Sequence, residues 1–146
     1  MASTFHCVVA TPTRKLFDGD IYFASVPGGE GSFGVMAGHE LLVALNAKSG
    51  IVSLNLDEAG SQKEEFLISE GATQMYNGIL TVLGRFGKNV KNIDRESMAA
   101  RADEMRNHIQ ELEGQAESAQ DKAELESSRD RLEWYERQIA YAEEGK

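Results

Sequence analysis

The sequence predicts an α+β chain in two parts: an N-terminal antiparallel β-sandwich over residues 1–90 and a C-terminal antiparallel two-helix hairpin over residues 91–146. Three observations carry this. Twelve of the 14 glycines, both prolines and eight of the 11 aromatics precede residue 91, and the remainder is rich in Glu, Ala, Arg, Gln and Ser. Apolar residues of the first part alternate with a period of two, whereas those of the second recur every three or four positions. Turn residues divide the first part into short runs with no helical period between them, as in sandwiches and barrels.

The strand-like runs are Phe5 to Ala10, Asp20 to Val26, Leu41 to Leu45, Gly50 to Leu56, Glu65 to Ser69, Ala72 to Tyr76 and Ile79 to Gly84. They are rich in the β-branched and aromatic residues that fit a pleated surface. In the fourth run Val52, Leu54 and Leu56 share one face, and Asn77-Gly78 is a two-residue hairpin signal between the last two. Between Pro27 and Glu40 lies G-x-G-x-x-G, from Gly29 through Gly31 to Gly34. A dinucleotide fingerprint needs a helix opening at its last glycine. Here Gly38 and the strand-like Leu41 to Leu45 follow instead, so the glycines are expected to supply positive φ in a turn that links two strands. Phe33 and His39 beside them suit a contact surface.

In the second part Asp94 is placed to cap a first helix, with Glu96 in its first turn. Met98, Ala102, Met105, Ile109 and Leu112 form one seam, and Leu125, Ser128, Leu132, Tyr135, Ile139 and Ala142 form the other, leaving Trp134 and Tyr141 off it. Between them Gly114 is expected to end the first helix and Ser118 to cap the second, a connection short enough for antiparallel neighbours. Glu133 with Arg137 and Glu126 with Arg129 have helical pairing distances. So short a pair of helices is marginal alone, which suits an element able to take more than one position.

Net charge −9, from 24 acidic and 15 basic residues without a basic cluster, argues against nucleic acid as a partner. The longest apolar run, Leu41 to Leu45, is far too short to span a bilayer, and the first ten residues lack the form of a signal peptide, so a cytosolic location is expected. Cys7 is the only cysteine and reads as a small core residue. His6, His39 and His108 lack metal-ligand spacing, and no nucleophile elbow is present, so neither a metal nor catalysis is expected.

The run Glu30-Gly31-x-x-Gly34-x-x-x-Gly38-His39, preceded by Leu16-Phe17-x-Gly19 and followed by Leu80-Thr81-Val82-Leu83 before an acidic helical hairpin, resembles the epsilon subunit of bacterial rotary ATP synthases. Ala37 stands where that family usually has proline, and Glu70-Gly71 where it often has paired glycines. The resemblance implies a non-catalytic rotor subunit of the proton- or sodium-driven enzyme, peripheral on the cytoplasmic face of the bacterial cell membrane. It implies that the sandwich joins the gamma subunit to the c-subunit ring and that the hairpin, when extended, inhibits ATP hydrolysis. Carried over by position, Glu30, Gly31, Ser32 and Phe33 would face the ring and Thr11 and His39 would meet gamma. Arg129, Arg131 and Arg137 would meet the alpha and beta subunits. Some family members bind a regulatory ATP through Ile-Asp-x-x-Arg-Ala; here Ile93 and Asp94 are kept but Ser97 and Met98 replace the last two, leaving Arg95 or Arg101 as the nearby cations and no cofactor expected. The alternative reading is a β-sandwich adaptor that homodimerises through its coiled-coil tail.

Overall fold

The computed structural model describes residues 3–39 and 41–144. The chain forms two compact units, Met1–Asn92 and Ile93–Lys146.

In the first unit ten strands run in order: β1 Phe5–Ala10, β2 Lys15–Ile21, β3 Phe23–Gly28, β4 Gly31–Met36, β5 Leu42–Leu45, β6 Ser49–Asn55, β7 Lys63–Ser69, β8 Gly71–Tyr76, β9 Ile79–Gly84 and β10 Gly87–Asn89. They make two five-stranded sheets, β2-β1-β9-β8-β5 (sheet A) and β10-β7-β6-β3-β4 (sheet B). All pairings are antiparallel except β1 with β9. Alternate residues of each strand point into one core, which includes Cys7, Val9, Met75, Leu80 and Val82 from sheet A and Val26, Val52, Leu54, Phe66 and Ile68 from sheet B. Phe17 meets Phe66 edge to face, with centroids 6.2 Å apart. The expected β-sandwich is therefore present.

Three strands lie outside the sequence expectation. β2 and β10 were not foreseen, Asp20 to Val26 breaks at Tyr22 into the end of β2 and most of β3, and the stretch read as a glycine turn contains β4. Each unforeseen strand is an edge of its sheet. Edges tolerate the glycine and charge that local propensity counts against a strand, because only one side of the ladder is paired. The turn proper is Gly29-Glu30, and of the three fingerprint glycines only Gly31 has positive φ, at 129°. Gly34 lies within β4, where a Cβ would fall 2.6 Å from the Phe23 ring, so close packing requires it. Asn77 (φ 52°) and Gly78 (φ 76°) make the hairpin turn read from the sequence.

The second unit holds α1 Arg95–Gln115 and α2 Ala119–Glu144, after a 3-10 turn at Val90–Asn92. Asp94 caps α1 by accepting from the Ser97 amide at 3.3 Å. Ser118 caps α2 reciprocally: its Oγ accepts from the Asp121 amide at 3.1 Å, and the Asp121 carboxylate accepts from the amides of Ser118 and Glu117 at 3.4 Å. These backbone donors hold the Asp121 carboxyl below its ordinary pKa. Gly114 does not end α1. It lies inside the helix, which stops at an extended Ala116. Met98, Ala102 and Ile109 are buried on α1, and Leu125 and Ser128 on α2, as the seams require. Trp134 and Gln138 are buried too, on a different face of α2 from its seam.

Two glycine substitutions separate these geometries. A Cβ at Gly71 would fall 1.9 Å from the Leu83 carbonyl oxygen, so Gly71→Ala is expected to destabilise the chain by about 1–3 kcal/mol in denaturant unfolding. Gly114 has helical backbone and open space around it. Gly114→Ala should stabilise the hairpin by up to about 1 kcal/mol; a left-handed cap would give the opposite sign.

Candidate functional site: the outer face of sheet A

Sheet A carries exposed apolar side chains on its outer side as well as buried ones on its inner side. Its cross-strand register builds three outward rows: Leu45, Ala72, Leu83 and Ala10; then Val43, Gln74, Thr81, Val8 and Asp18; then Tyr76, Ile79, His6 and Asp20. Val43 and Leu45 are 71% and 75% exposed, and Tyr76, Ile79 and Leu83 between 43% and 57%. Soluble monomers rarely expose contiguous apolar patches larger than a few hundred Å² without a partner to meet them. The sequence signal was legible but unread. Runs such as Ile79-Leu80-Thr81-Val82-Leu83 are apolar at both phases of the alternation, which marks a strand covered on both faces.

β5 is the fourth sheet edge, and it differs from the other three in being apolar throughout. Its C-terminal end is tied down. The Leu45 carbonyl accepts from Gly29 at 2.9 Å, and the buried Asn46 side chain donates to the Leu83 carbonyl at 2.9 Å while accepting from the Thr73 hydroxyl at 2.7 Å. Beside that end an open groove of about 560 Å³ is lined by Gly28, Gly29, Glu30, Phe33, Val43 and Leu45, among others.

Opposite β5, the face ends in charge. His6 Nδ1 lies 3.0 Å from Asp20 Oδ1 and His6 Nε2 lies 2.5 Å from Asp18 Oδ1, while Lys15 Nζ is 2.9 Å from the second Asp18 oxygen. Hydrogen bonding to Asp20 and then to Asp18 raises the His6 pKa above its ordinary value. Lys15 and then His6 lower that of Asp18. Nothing in the sequence reading singled out this cluster.

The residues named from sequence fall in several places. Glu30 and Gly31 form and leave the β3–β4 turn, with Ser32 and the half-buried Phe33 following on β4. Thr11 follows β1, its hydroxyl donating to the Arg14 carbonyl at 3.4 Å. Ala10 shares a row with Leu45, so Thr11 lies at the same end of the sandwich as the Glu30 turn, three strand spacings or roughly 14 Å across the sheet. His39 follows the far end of β4, its amide bonded to the Met36 carbonyl. Thr11 and His39 therefore lie at opposite ends of the sandwich.

On the hairpin, Arg129 pairs with Glu113 at 3.2 Å across the helices, and Arg137 pairs with Glu133. Arg131 also has a partner. The spacing of Glu133 and Arg137 thus gives the pair it suggested, while Arg129 reaches α1. Arg95 with Glu143 and Arg106 with Glu136, each at 3.2 Å, continue the antiparallel ladder. Asp94 is engaged in capping, and Arg101 lines a shallow hairpin groove together with Glu104, His108 and Tyr135.

Cys7 is fully buried, and burial pushes its thiol up to about 12. A thiol reagent at pH 8 should leave it unmodified in the folded chain and label it once denaturant unfolds the sandwich; rapid native labelling would refute its core placement.

No helix among the described residues is long and apolar enough to cross a membrane. Residues 4–86 match the family ATP synthase, Delta/Epsilon chain, beta-sandwich domain. The chain is 32% identical over 111 residues to the ATP synthase epsilon chain of Afipia carboxidovorans, covering 76% of this chain and 79% of that one. It is 33% identical over 107 residues to the ATP synthase epsilon chain of Rhodopseudomonas palustris, covering 73% and 76%. In fold it is similar to a chain of the Euglena gracilis mitochondrial ATP synthase, OSCP/F1/c-ring in rotational state 1, with TM-score 0.56 and 21% identity over 89% of this chain and 78% of that one. A chain of the central stalk/c-ring of the Tetrahymena thermophila mitochondrial ATP synthase gives TM-score 0.50 and 12% identity, covering 92% and 95%. With a ten-stranded sandwich matched by the family across most of its length, two helices following it in the chain and epsilon chains as its relatives, this chain belongs to the delta/epsilon family of ATP synthase subunits, as an epsilon chain.

Proposed function

We propose that this chain is a non-catalytic rotor subunit that joins the gamma subunit to the ring of c subunits and restrains ATP hydrolysis through its hairpin. The observation that carries the reading is the exposed apolar outer face of sheet A, continuous with the apolar edge β5. Such a face marks an interaction site, and gamma is the partner assigned to it, with Thr11 and His39 at the two ends of the sandwich. The Glu30-Gly31 turn, with Ser32 and Phe33, presents a carboxylate and backbone groups beside an apolar groove. That mixture suits the polar loops of a c ring, at the cytoplasmic face of the membrane, without entry into the bilayer. The coupling ion is a proton or sodium.

The hairpin is the regulatory arm. Arg129, Arg131 and Arg137 would exchange their present partners for carboxylates of the alpha and beta subunits. Exposed ion pairs are worth about 0–1 kcal/mol, so the exchange costs little. No regulatory ATP is assigned: Asp94 is held in its cap, and Glu104 beside Arg101 opposes a phosphate. Dimerisation through the tail is the less favoured reading, since Met98, Ala102, Ile109, Leu125 and Ser128 of the seams are already buried in the single chain.

Two experiments test this. Val43→Glu with Leu45→Glu changes side chains more than 70% exposed, so the melting temperature should hold while affinity for gamma falls at least about tenfold, each desolvated charge costing more than 1 kcal/mol; undiminished affinity would refute the docking face. Removal of residues 91–146 should leave assembly with gamma intact and raise the ATPase rate of the complex, whereas an unchanged rate would refute the regulatory role.

A further inference from the structure

The charged border of the docking face has a protonation requirement built into its geometry. Each ring nitrogen of His6 faces a different carboxylate, Nδ1 toward Asp20 and Nε2 toward Asp18. An ionised carboxylate only accepts hydrogen bonds, and a neutral imidazole has one N–H to give. Both contacts are satisfied together only when the ring carries two protons and a positive charge. Lys15 on the second oxygen of Asp18 then completes a set of two cations and two anions with no net charge. Loss of the ring proton leaves net charge −1 and one carboxylate without its donor.

Among the described residues the neighbouring strands offer no substitute. β1 lies between β2 and β9. From β2 the facing groups are Lys15, Asp18 and Asp20; from β9 they are Ile79 and Thr81, which carry no charge; and the other outward residues of β1 are Val8 and Ala10. Tyr76, beyond Ile79 in the same row, stands on β8, two strands away from β1.

His6 shares its row with Ile79 and Tyr76, so a partner seated on the apolar face also covers the cluster. Taking a balanced, fully hydrogen-bonded set of charges out of water costs less than taking out an unbalanced one. We propose that His6, Asp18 and Asp20 form a pH-responsive latch at the edge of the docking face, which strengthens the hold on gamma when the imidazole is charged and weakens it when the imidazole is neutral. This rests on the reading that gamma docks on sheet A. The sign follows from linkage: where covering the cluster favours the charged ring further, the contribution is complete below the His6 pKa of the free chain, itself above the ordinary value, and is lost as pH rises through the higher pKa of the complex.

The test measures binding of the full chain to the gamma-containing ATPase head stripped of epsilon, between pH 6 and pH 9, for the native protein, His6→Gln and His6→Arg. If docking raises the His6 pKa by a further unit, native affinity falls about tenfold across that range. His6→Gln should bind at the weaker level, with only the slope contributed by the head itself, and His6→Arg should keep tight binding at pH 9. Equal slopes for native protein and His6→Gln would overturn the latch, as would a His6 pKa at or below 6.5 in an NMR titration of the free chain. Absence of binding at every pH would instead overturn the docking of gamma.

Discussion

The inner side of sheet A closes on sheet B through Cys7, Val9, Met75, Leu80 and Val82, and this burial holds the register on which every outward row depends. Because side chains alternate along a strand, seating those residues in the core forces Val43, Leu45, Tyr76, Ile79 and Leu83 outward. A slip of one residue would exchange the two sets. The exposed apolar face is thus a consequence of core packing. Asn46 secures the arrangement at one end by hydrogen bonding to both β8 and β9, a buried polar group with its needs met.

The four sheet edges divide the labour of solubility and recognition. β2, β4 and β10 carry glycine, charge or amide side chains, which discourage unplanned strand pairing. β5 carries none, and it borders the groove beside the Glu30 turn. An apolar edge continuous with an exposed apolar face is the surface that the proposed partner would cover. At the opposite border, His6, Asp18, Asp20 and Lys15 mark where the apolar surface ends, and the two carboxylates hold the imidazole above its ordinary pKa.

The hairpin is held by different means. Its seams bury few large side chains, and much of its specificity comes from caps at Asp94 and Ser118 and from pairs such as Arg106 with Glu136 and Arg129 with Glu113. Those pairs are exposed, and exposed pairs contribute little to stability, as the proposed regulatory role of the hairpin requires.

Local chemistry was enough to read the two-part division, most strands, the Asn77-Gly78 turn and both helix caps, because period, β-branching and capping oxygens act over a few residues. It was also enough to expect that no helix opens at Gly34, which lies within β4. Long-range placement decided the rest. β2, β4 and β10 exist because a neighbouring strand pairs them, against their own propensities. Gly34 is glycine because Phe23, eleven residues earlier, occupies the space above it. Gly114 looks like a helix stop, yet hydrogen bonding carries α1 past it. His6 meets Asp18 and Asp20 only because β1 and β2 pair in one register, and the apolar face exists only because β5, β8, β9 and β1 lie side by side. Sequence sets what each segment can be; the order of strands in a sheet sets what each side chain meets, and that order is a property of the whole chain.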